Sequence, residues 1–278
     1  MNVNGLFVDV IGDGRPVIVL HGGPDFDQSY LRPELDRLAT TARLVYYDQR
    51  GRGRSAAGVR AEDVSISSEI ADLEALRQGL GLDAVTVLGH SWGGLLAMEY
   101  ATRHPEHVSH LVLMNTAPVW PEGWIELRSH LAQLRSPSTI AEMRELGPMI
   151  EAGDLDAERR FYRLYFAVTV LDAELLDRVV GRLREHFTPQ TMRLARAIED
   201  RLFAETARPG YDLRPRLREL DVPTLVLHGE HDFIPVDVAR EVASAIAGAT
   251  LAVVPGSGHF SYADQPEAVR AEVGKLLA

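Results

Sequence analysis

The sequence predicts an α/β fold in which a mostly parallel central sheet is flanked by helices, with an all-helical cap inserted after the sixth strand. Short apolar runs such as Val17-Ile18-Val19-Leu20 alternate with helix-like stretches, the order that βαβ units produce. This alternation stops near Trp120 and resumes at Val222, which indicates an insertion. A chain of 278 residues is long enough for one α/β domain that carries such an insertion.

Composition narrows the class of protein. Hydrophobic residues make up 46% of the chain and charged residues 25%, as in a globular domain. The 40 acidic residues outnumber the 29 basic ones, which argues against nucleic acid or an anionic membrane as a partner because both require a basic face. Without cysteine, the chain has no disulfide, thiol nucleophile or cysteine-bound zinc. Residues 1–5 lack the features of a signal peptide, so we predict a cytoplasmic location. The sequence does not indicate an oligomeric state.

The first part of the chain supplies most of the sheet. We predict strands over residues 6–11, 17–20, 44–47, 84–88 and 110–115 because these runs are short, apolar and rich in β-branched residues. Helices are predicted over residues 29–39, 67–80 and 93–104. In the second helix, Ile70, Leu73 and Leu76 recur at helical spacing.

The remainder predicts a helical cap and the end of the sheet. Cap helices are predicted over residues 124–134, 139–150, 156–170, 173–186 and 189–207. Strands over 222–227 and 251–254 and helices over 236–246 and 266–277 then restore the earlier order. We therefore divide the chain into a core of residues 1–118 and 213–278 and a cap of residues 119–212.

A nucleophile candidate stands at the end of a predicted strand. Ser91 is the centre of Gly89-His90-Ser91-Trp92-Gly93, which follows the run 84–88 and begins a helix. A G-x-S-x-G sequence acts chemically when a tight strand-to-helix turn lifts the serine clear of the sheet. The strand-turn-helix context therefore predicts a nucleophilic serine.

A serine nucleophile needs a base, and the base needs a carboxylate. Asp232 and His259 each come just past the end of a predicted strand, at the sheet edge where parallel sheets carry their sites. The order Ser91, Asp232, His259 is the one expected of α/β-hydrolases. We predict these three residues as the catalytic triad.

The residues near Asp232 and Ser91 allow other assignments. His228 and His231 lie beside Asp232, but their loop spacing lacks the helical i, i+4 geometry of a zinc motif, and we predict no metal and no cofactor. Asp237 is interpreted as a helix N-terminal residue. His21 and His90 flank the predicted site and are interpreted as residues that shape it, with His21 also a candidate for substrate contact.

The oxyanion hole is predicted from the main chain. The N–H of Trp92, directly after the nucleophile, is one donor. The other is expected in the loop after the early strand, where Gly23 presents an N–H with no side chain in the way.

Several motifs together give a family resemblance over the whole predicted sheet domain. The chain resembles the α/β-hydrolase superfamily, and most of all its proline iminopeptidase branch. The motifs are His21-Gly22-Gly23-Pro24, Asp48-Gln49-Arg50-Gly51-x-Gly53-x-Ser55, Gly89-x-Ser91-Trp92-Gly93-Gly94, Gly229-x-x-Asp232 and Gly258-His259. The resemblance implies the same triad and oxyanion hole, and a cap over the site.

The resemblance leaves the substrate open. Asp25 and His90 stand where that branch commonly has glycine, and Gly-His-Ser is more typical of esterases. Hydrolysis of a small carboxylic ester or amide is therefore the leading hypothesis, with release of N-terminal proline from short peptides as the alternative. An iminopeptidase needs cap carboxylates for the substrate amine, and the candidates by location are Glu199, Asp200 and Glu205.

Two further functions are compatible with the sequence. A non-catalytic ligand-binding relative is an alternative of another class. The same triad is also compatible with cofactor-free oxygen or perhydrolase chemistry. Aromatic cap residues are expected to divide between pocket wall and cap core; the candidates are Trp120, Trp124, Phe161, Tyr162, Tyr165, Phe166 and Phe203.

Overall fold

The computed structural model describes residues 1–169 and 172–277 and contains one eight-stranded sheet in the order β1-β2-β4-β3-β5-β6-β7-β8. The strands are β1 (Asn2–Val3), β2 (Leu6–Ile11), β3 (Arg15–Leu20), β4 (Ala42–Tyr47), β5 (Val85–His90), β6 (Val108–Met114), β7 (Thr224–Gly229) and β8 (Thr250–Val254). The pairs β1–β2 and β2–β4 are antiparallel and the others parallel. The predicted α/β fold with a mostly parallel sheet is confirmed.

The strand register brings the polar loops to one edge of the sheet. Leu20 is paired with Gly89, and His90 with Met114, so β3, β5 and β6 end at nearly the same level. On the far side of β6, β7 and β8 end together at the pair of Gly229 and Val254. Because parallel strands share their direction, the loops after these five strands all emerge at this edge.

Helices cover the sheet. The helices outside the long insertion are α1 (Ile66–Gly79), α2 (Trp92–Ala101), α8 (Arg214–Leu217), α9 (Val236–Ala245), α10 (Ser261–Asp264) and α11 (Pro266–Leu277). Helix α2 packs on β3, β5 and β6, whereas α9 and α11 pack on β7 and β8. Burial of the apolar faces of these helices builds the core around the sheet. None of the helices in the described parts of the chain is long and apolar enough to cross a membrane.

The helix predicted over residues 29–39 is not formed. The chain makes two short 3-10 turns instead, Gln28–Leu31 and Leu35–Thr40. Arg32 between them is extended, with φ −113° and ψ 150°. It precedes Pro33, and the proline ring disfavours the α conformation in the residue before it. The helix predicted over residues 29–39 takes no account of this proline.

A helical insert, residues 121–206, follows the sixth strand. Its helices are α3 (Pro121–Leu134), α4 (Pro137–Ala152), α5 (Leu155–Phe166), α6 (Ala173–Arg182) and α7 (Pro189–Thr206). The predicted α5 runs to Val170, which lies outside the described residues, and the structure ends this helix at Phe166. The predicted α6 is also too long, since residues after Arg182 turn towards the sheet domain. The cap boundaries at 119 and 212 remain a prediction.

Side chains cap the N-termini of four of the insert helices. Ser136, Asp154, Asp172 and Thr188 each accept hydrogen bonds from main-chain amides in the first turn of α4, α5, α6 and α7. Such caps satisfy amides that have no partner inside the helix. The insert shares the main hydrophobic core with the sheet domain, so the two parts pack as one body.

Candidate active site

Ser91 lies in a tight turn between β5 and α2, with φ 55° and ψ −119°. A positive φ is unusual for a residue with a side chain and costs on the order of 1–3 kcal/mol. The turn is held because Ser91 N donates to Met114 O at 3.0 Å and Ala117 N donates to Ser91 O at 3.1 Å. A Cβ atom on Gly89 would collide with Gly93 O, so the close strand-helix approach needs glycine here.

His259 is paired with a buried carboxylate. Its Nδ1 lies 2.9 Å from Oδ1 of Asp232 and 3.1 Å from Oδ2. Asp232 also accepts from the side-chain amide of Asn115 at 2.8 Å and from Ile234 N at 3.0 Å. Burial alone would raise the pKa of Asp232, but the facing His259 and the hydrogen bond from Ile234 N hold it below its usual range. The carboxylate therefore stays ionised, Nδ1 donates to it, and Nε2 of His259 is left to accept a proton.

Ser91 and His259 open into the same cavity of about 740 Å³. Nine aromatic side chains line it: Phe26, Tyr30, Phe161, Tyr162, Tyr165, Phe166, Phe203, Phe233 and Phe260. Five of the seven cap aromatic residues considered from the sequence are in this wall. Trp120 and Trp124 are not, and the Trp124 ring instead packs on Trp92 and Phe203, with centroids 6.5 and 5.5 Å apart.

A hydrogen-bond relay joins the loop after β3 to the main chain of His259. Gly22 N donates to the Tyr30 hydroxyl at 2.7 Å, and that hydroxyl donates to Nδ1 of His90 at 2.8 Å. Nε2 of His90 then donates to the carbonyl oxygen of His259 at 2.8 Å. Burial lowers the pKa of His90 to about 3, so the ring is neutral and its two nitrogens keep opposite roles. Sequence reasoning assigned His90 a shaping role but missed Tyr30.

The two residues predicted for the oxyanion hole lie in the loop after β3 and at the start of α2. Gly23 lines the cavity and has φ +122°, a conformation that side chains disfavour. Trp92 is the first residue of α2, so its amide points along the positive end of the helix dipole. The indole of Trp92 is buried against Phe203, with ring centroids 5.5 Å apart.

Two of the four residues predicted for substrate contact do not line the cavity. His21 is fully buried, its Nδ1 lies 3.0 Å from Gly22 O, and its Nε2 accepts from Gln49 N at 3.1 Å. Burial lowers the pKa of His21 to about 4. Glu205 accepts from Ile66 N at 3.3 Å at the start of α1. Both side chains therefore hold loops or helices, in contrast to the predicted substrate contacts.

Glu199 and Asp200, the other two, do line the cavity. Glu199 is half-buried and neighbours Asp25 in the cavity wall. Desolvation, together with the charge of Asp25, raises the pKa of Glu199 well above its usual range. Asp25 is buried, and its Oδ2 accepts from the Tyr162 hydroxyl at 3.1 Å and is ion-paired with Arg184. In the sequence, Asp25 is notable only as a departure from the family pattern, and no local motif indicates Arg184.

The histidines beside Asp232 have other partners. His228 is buried, and its Nε2 donates to Ile234 O at 2.8 Å, while burial lowers its pKa. His231 is exposed. Within residues 1–169 and 172–277, no group of three or more His, Asp or Glu side chains is arranged to hold a metal ion.

Comparison with known proteins places this geometry in a family. The family model described as "alpha/beta hydrolase fold" matches residues 15–266. A proline iminopeptidase of Saccharolobus solfataricus is 28% identical over 261 residues, which cover 91% of this chain and 81% of that protein. The chain therefore belongs to the α/β-hydrolase family and is a hydrolase of that fold, and the predicted resemblance to the proline iminopeptidase branch is confirmed.

Solved structures agree on the fold. The proline iminopeptidase of Mycobacterium smegmatis superposes with a TM-score of 0.71 and 23% identity, covering 98% of this chain and 94% of that one. A thermophilic esterase from Thermogutta terrifontis gives a TM-score of 0.71 and 22% identity, covering 98% and 92%. The peptidase and the esterase match equally well. These similarities therefore define the fold, and the substrate has to be inferred from the residues of the site.

The relay through Tyr30 can be tested by removing one oxygen. We expect Tyr30→Phe to lower kcat for a p-nitrophenyl ester by about tenfold or more, because the main chain of His259 and the loop after β3 lose their common support. The unpaired amide of Gly22 should also reduce the free energy of unfolding by about 1–3 kcal/mol. Steady-state kinetics and denaturant unfolding measure the two effects.

Tyr262→Phe is the matched control. Its buried hydroxyl donates to Tyr30 O at 2.9 Å, outside the relay, so the variant should lose similar stability and keep its kcat. Equal kcat values for the two variants would contradict a positioning role for the relay.

Proposed function

We propose that the protein is a serine hydrolase that cleaves a small carboxylic ester or amide through an acyl-enzyme intermediate. Ser91 is the nucleophile, His259 the general base and Asp232 the carboxylate that orients it. The observation that carries the proposal is that a histidine already paired with a buried, ionised carboxylate opens into the same cavity as a serine in a strained turn.

The proposed reaction has two halves. Nε2 of His259 takes the proton of the Ser91 hydroxyl while Oγ bonds to the substrate carbonyl carbon, and the imidazolium that forms is stabilised by Asp232. The N–H groups of Gly23 and Trp92 bind the oxyanion of the tetrahedral intermediate. His259 then protonates the leaving alcohol or amine, and a water molecule, activated by the same histidine, hydrolyses the acyl-enzyme.

The cavity favours a small substrate with an apolar acyl part. Its volume of about 740 Å³ is within the range of small-molecule sites, and its aromatic wall offers contact area to a hydrocarbon or ring. Phe233 and Phe166 stand beside the His259 ring, with centroids 4.3 and 6.0 Å away, so water near the base is restricted. These features support ester or amide cleavage at an apolar acyl group.

The proposal is tested with a short-chain p-nitrophenyl ester. Ser91→Ala should lower kcat by several powers of ten, and Asp232→Asn by about 10⁴-fold because the imidazole takes the wrong tautomer. Glu205→Gln is the control, since this side chain faces α1 and should leave kcat unchanged. Turnover by the Ser91→Ala variant at the wild-type rate would overturn the proposal.

Release of N-terminal proline is a second candidate, and a specific observation favours it. Glu199 places a carboxylate in the cavity wall together with Asp25, and such groups can hold the ammonium of a peptide N-terminus. The related iminopeptidases support the same class of substrate. The raised pKa of Glu199 gives this candidate a distinctive pH dependence.

For this candidate, the anionic form of Glu199 is the one that binds the amine. Protonation as the pH falls through its raised pKa should therefore increase KM for prolyl p-nitroanilide, with no matching change for an uncharged ester. Glu199→Gln should raise KM for the anilide about tenfold or more at pH values above this raised pKa and remove the pH dependence, whereas Glu205→Gln should do neither. Ester turnover with no anilide turnover would reject the iminopeptidase candidate and leave the esterase proposal intact.

A further inference from the structure

Asp25 introduces a negative charge beside the loop that is proposed to bind an oxyanion. It follows Gly23-Pro24 directly and is 1% exposed. A Cβ atom on Gly23 would lie 3.1 Å from Oδ1 of Asp25, so this carboxylate oxygen is adjacent to the glycine. The same carboxylate lines the cavity that contains Ser91.

An uncompensated carboxylate at this place would oppose the proposed chemistry. Negative charge develops on the substrate oxygen in the transition state, and like charges in a water-poor cavity repel strongly. A buried carboxylate also requires a partner to stay ionised. A cation close to Asp25 is therefore needed if the loop is to stabilise an oxyanion.

Arg184, which follows α6 in the helical insert, supplies that cation. Its guanidinium pairs with Oδ2 of Asp25 and, through Nη1, lies 2.9 Å from Glu158. The side chain is 6% exposed, so solvent screens the pair very little. Two other charged groups face the cluster: Arg196, which lies 3.1 Å from Glu158, and Glu199, whose pKa is raised.

Two hydrogen bonds from and to Asp27 hold the Arg184 segment against the same loop. Asp27 N donates to Leu183 O at 3.3 Å, and His186 N donates to Oδ2 of Asp27 at 3.2 Å. Arg184 lies between these two contacts. The segment 183–186 thus runs along the loop, and the guanidinium reaches Asp25 only while the insert is docked there.

We propose that Arg184 is a positioning residue for hydrolysis: by neutralising Asp25 it lets the Gly23 loop stabilise the oxyanion, and it makes this competence depend on docking of the helical insert. The inference rests on the proposed function, because it assumes the oxyanion role of Gly23. It assigns to the insert a part in the chemical step in addition to any contact with substrate.

The test is a double-mutant cycle assayed with a p-nitrophenyl ester. Arg184→Met should lower kcat about tenfold or more while KM changes less than threefold, since the loss falls on the transition state. Asp25→Asn is the second single variant of the cycle and completes the comparison from which the coupling between the two residues is calculated. The decisive variant is Asp25→Asn with Arg184→Met, which removes both charges and should recover kcat to within about threefold of wild type.

A purely structural role for Arg184 predicts the opposite pattern. The double variant would then have a kcat no higher than that of Arg184→Met, because it has lost further contacts between insert and loop, and that result would overturn the inference. Arg163→Met is the matched control, since Arg163 pairs with Asp177 inside the insert, is exposed, and does not line the cavity. It should leave kcat unchanged.

Two further comparisons keep the result decisive. If Arg184→Met does not fold, Arg184→Lys retains the positive charge and should keep kcat within about threefold of wild type, and a tenfold loss would overturn the inference. Ser91→Ala is assayed in parallel. Turnover that survives this change overturns the proposed function and the inference together, whereas turnover that requires Ser91 but is not recovered in the double variant overturns the inference alone.

Discussion

The close approach of β3, β5 and α2 around Ser91 is the constraint on which the rest of the site depends. The turn is possible only because Gly89 and Gly93 have no side chain: a Cβ on the first would strike Gly93 O and one on the second would strike Leu20 O. The hydrogen bond from Ser91 N to Met114 O ties this turn to β6 as well. Main-chain contacts alone therefore fix the serine relative to the ends of β3, β5 and β6.

Much of the sheet and of the candidate site could be predicted because local patterns determine them. β-Branched runs marked the strands, and the strands' common direction implied that residues just past their ends would meet, as Asp232 and His259 do. The sequence also predicts the tight turn at Ser91, because the glycines around it allow the strand and the helix to approach closely. The break at Arg32 also has a local signal, since Pro33 follows it and disfavours the α conformation in the residue before it.

The contacts that the sequence could not reveal join segments far apart in the chain. Tyr30, in the turn after β3, meets His90 at the end of β5, and Arg184 reaches Asp25 across 159 positions. No local periodicity encodes such pairings, because the first depends on how a loop folds over the sheet edge and the second on how the insert docks. Glu199 and Glu205 both lie on α7, but only Glu199 lines the cavity, whereas Glu205 accepts from the first turn of α1. Because side chains six positions apart on a helix point in different directions, position on the helix alone does not distinguish the two.

The central claim is that Ser91 is a nucleophile activated by His259. A fluorophosphonate probe followed by intact-mass and peptide mapping tests it without knowledge of the substrate. The account predicts one adduct per chain, located on Ser91, absent in Ser91→Ala and formed much more slowly in His259→Ala. An adduct on another residue, or labelling of Ser91→Ala at the wild-type rate, would contradict it.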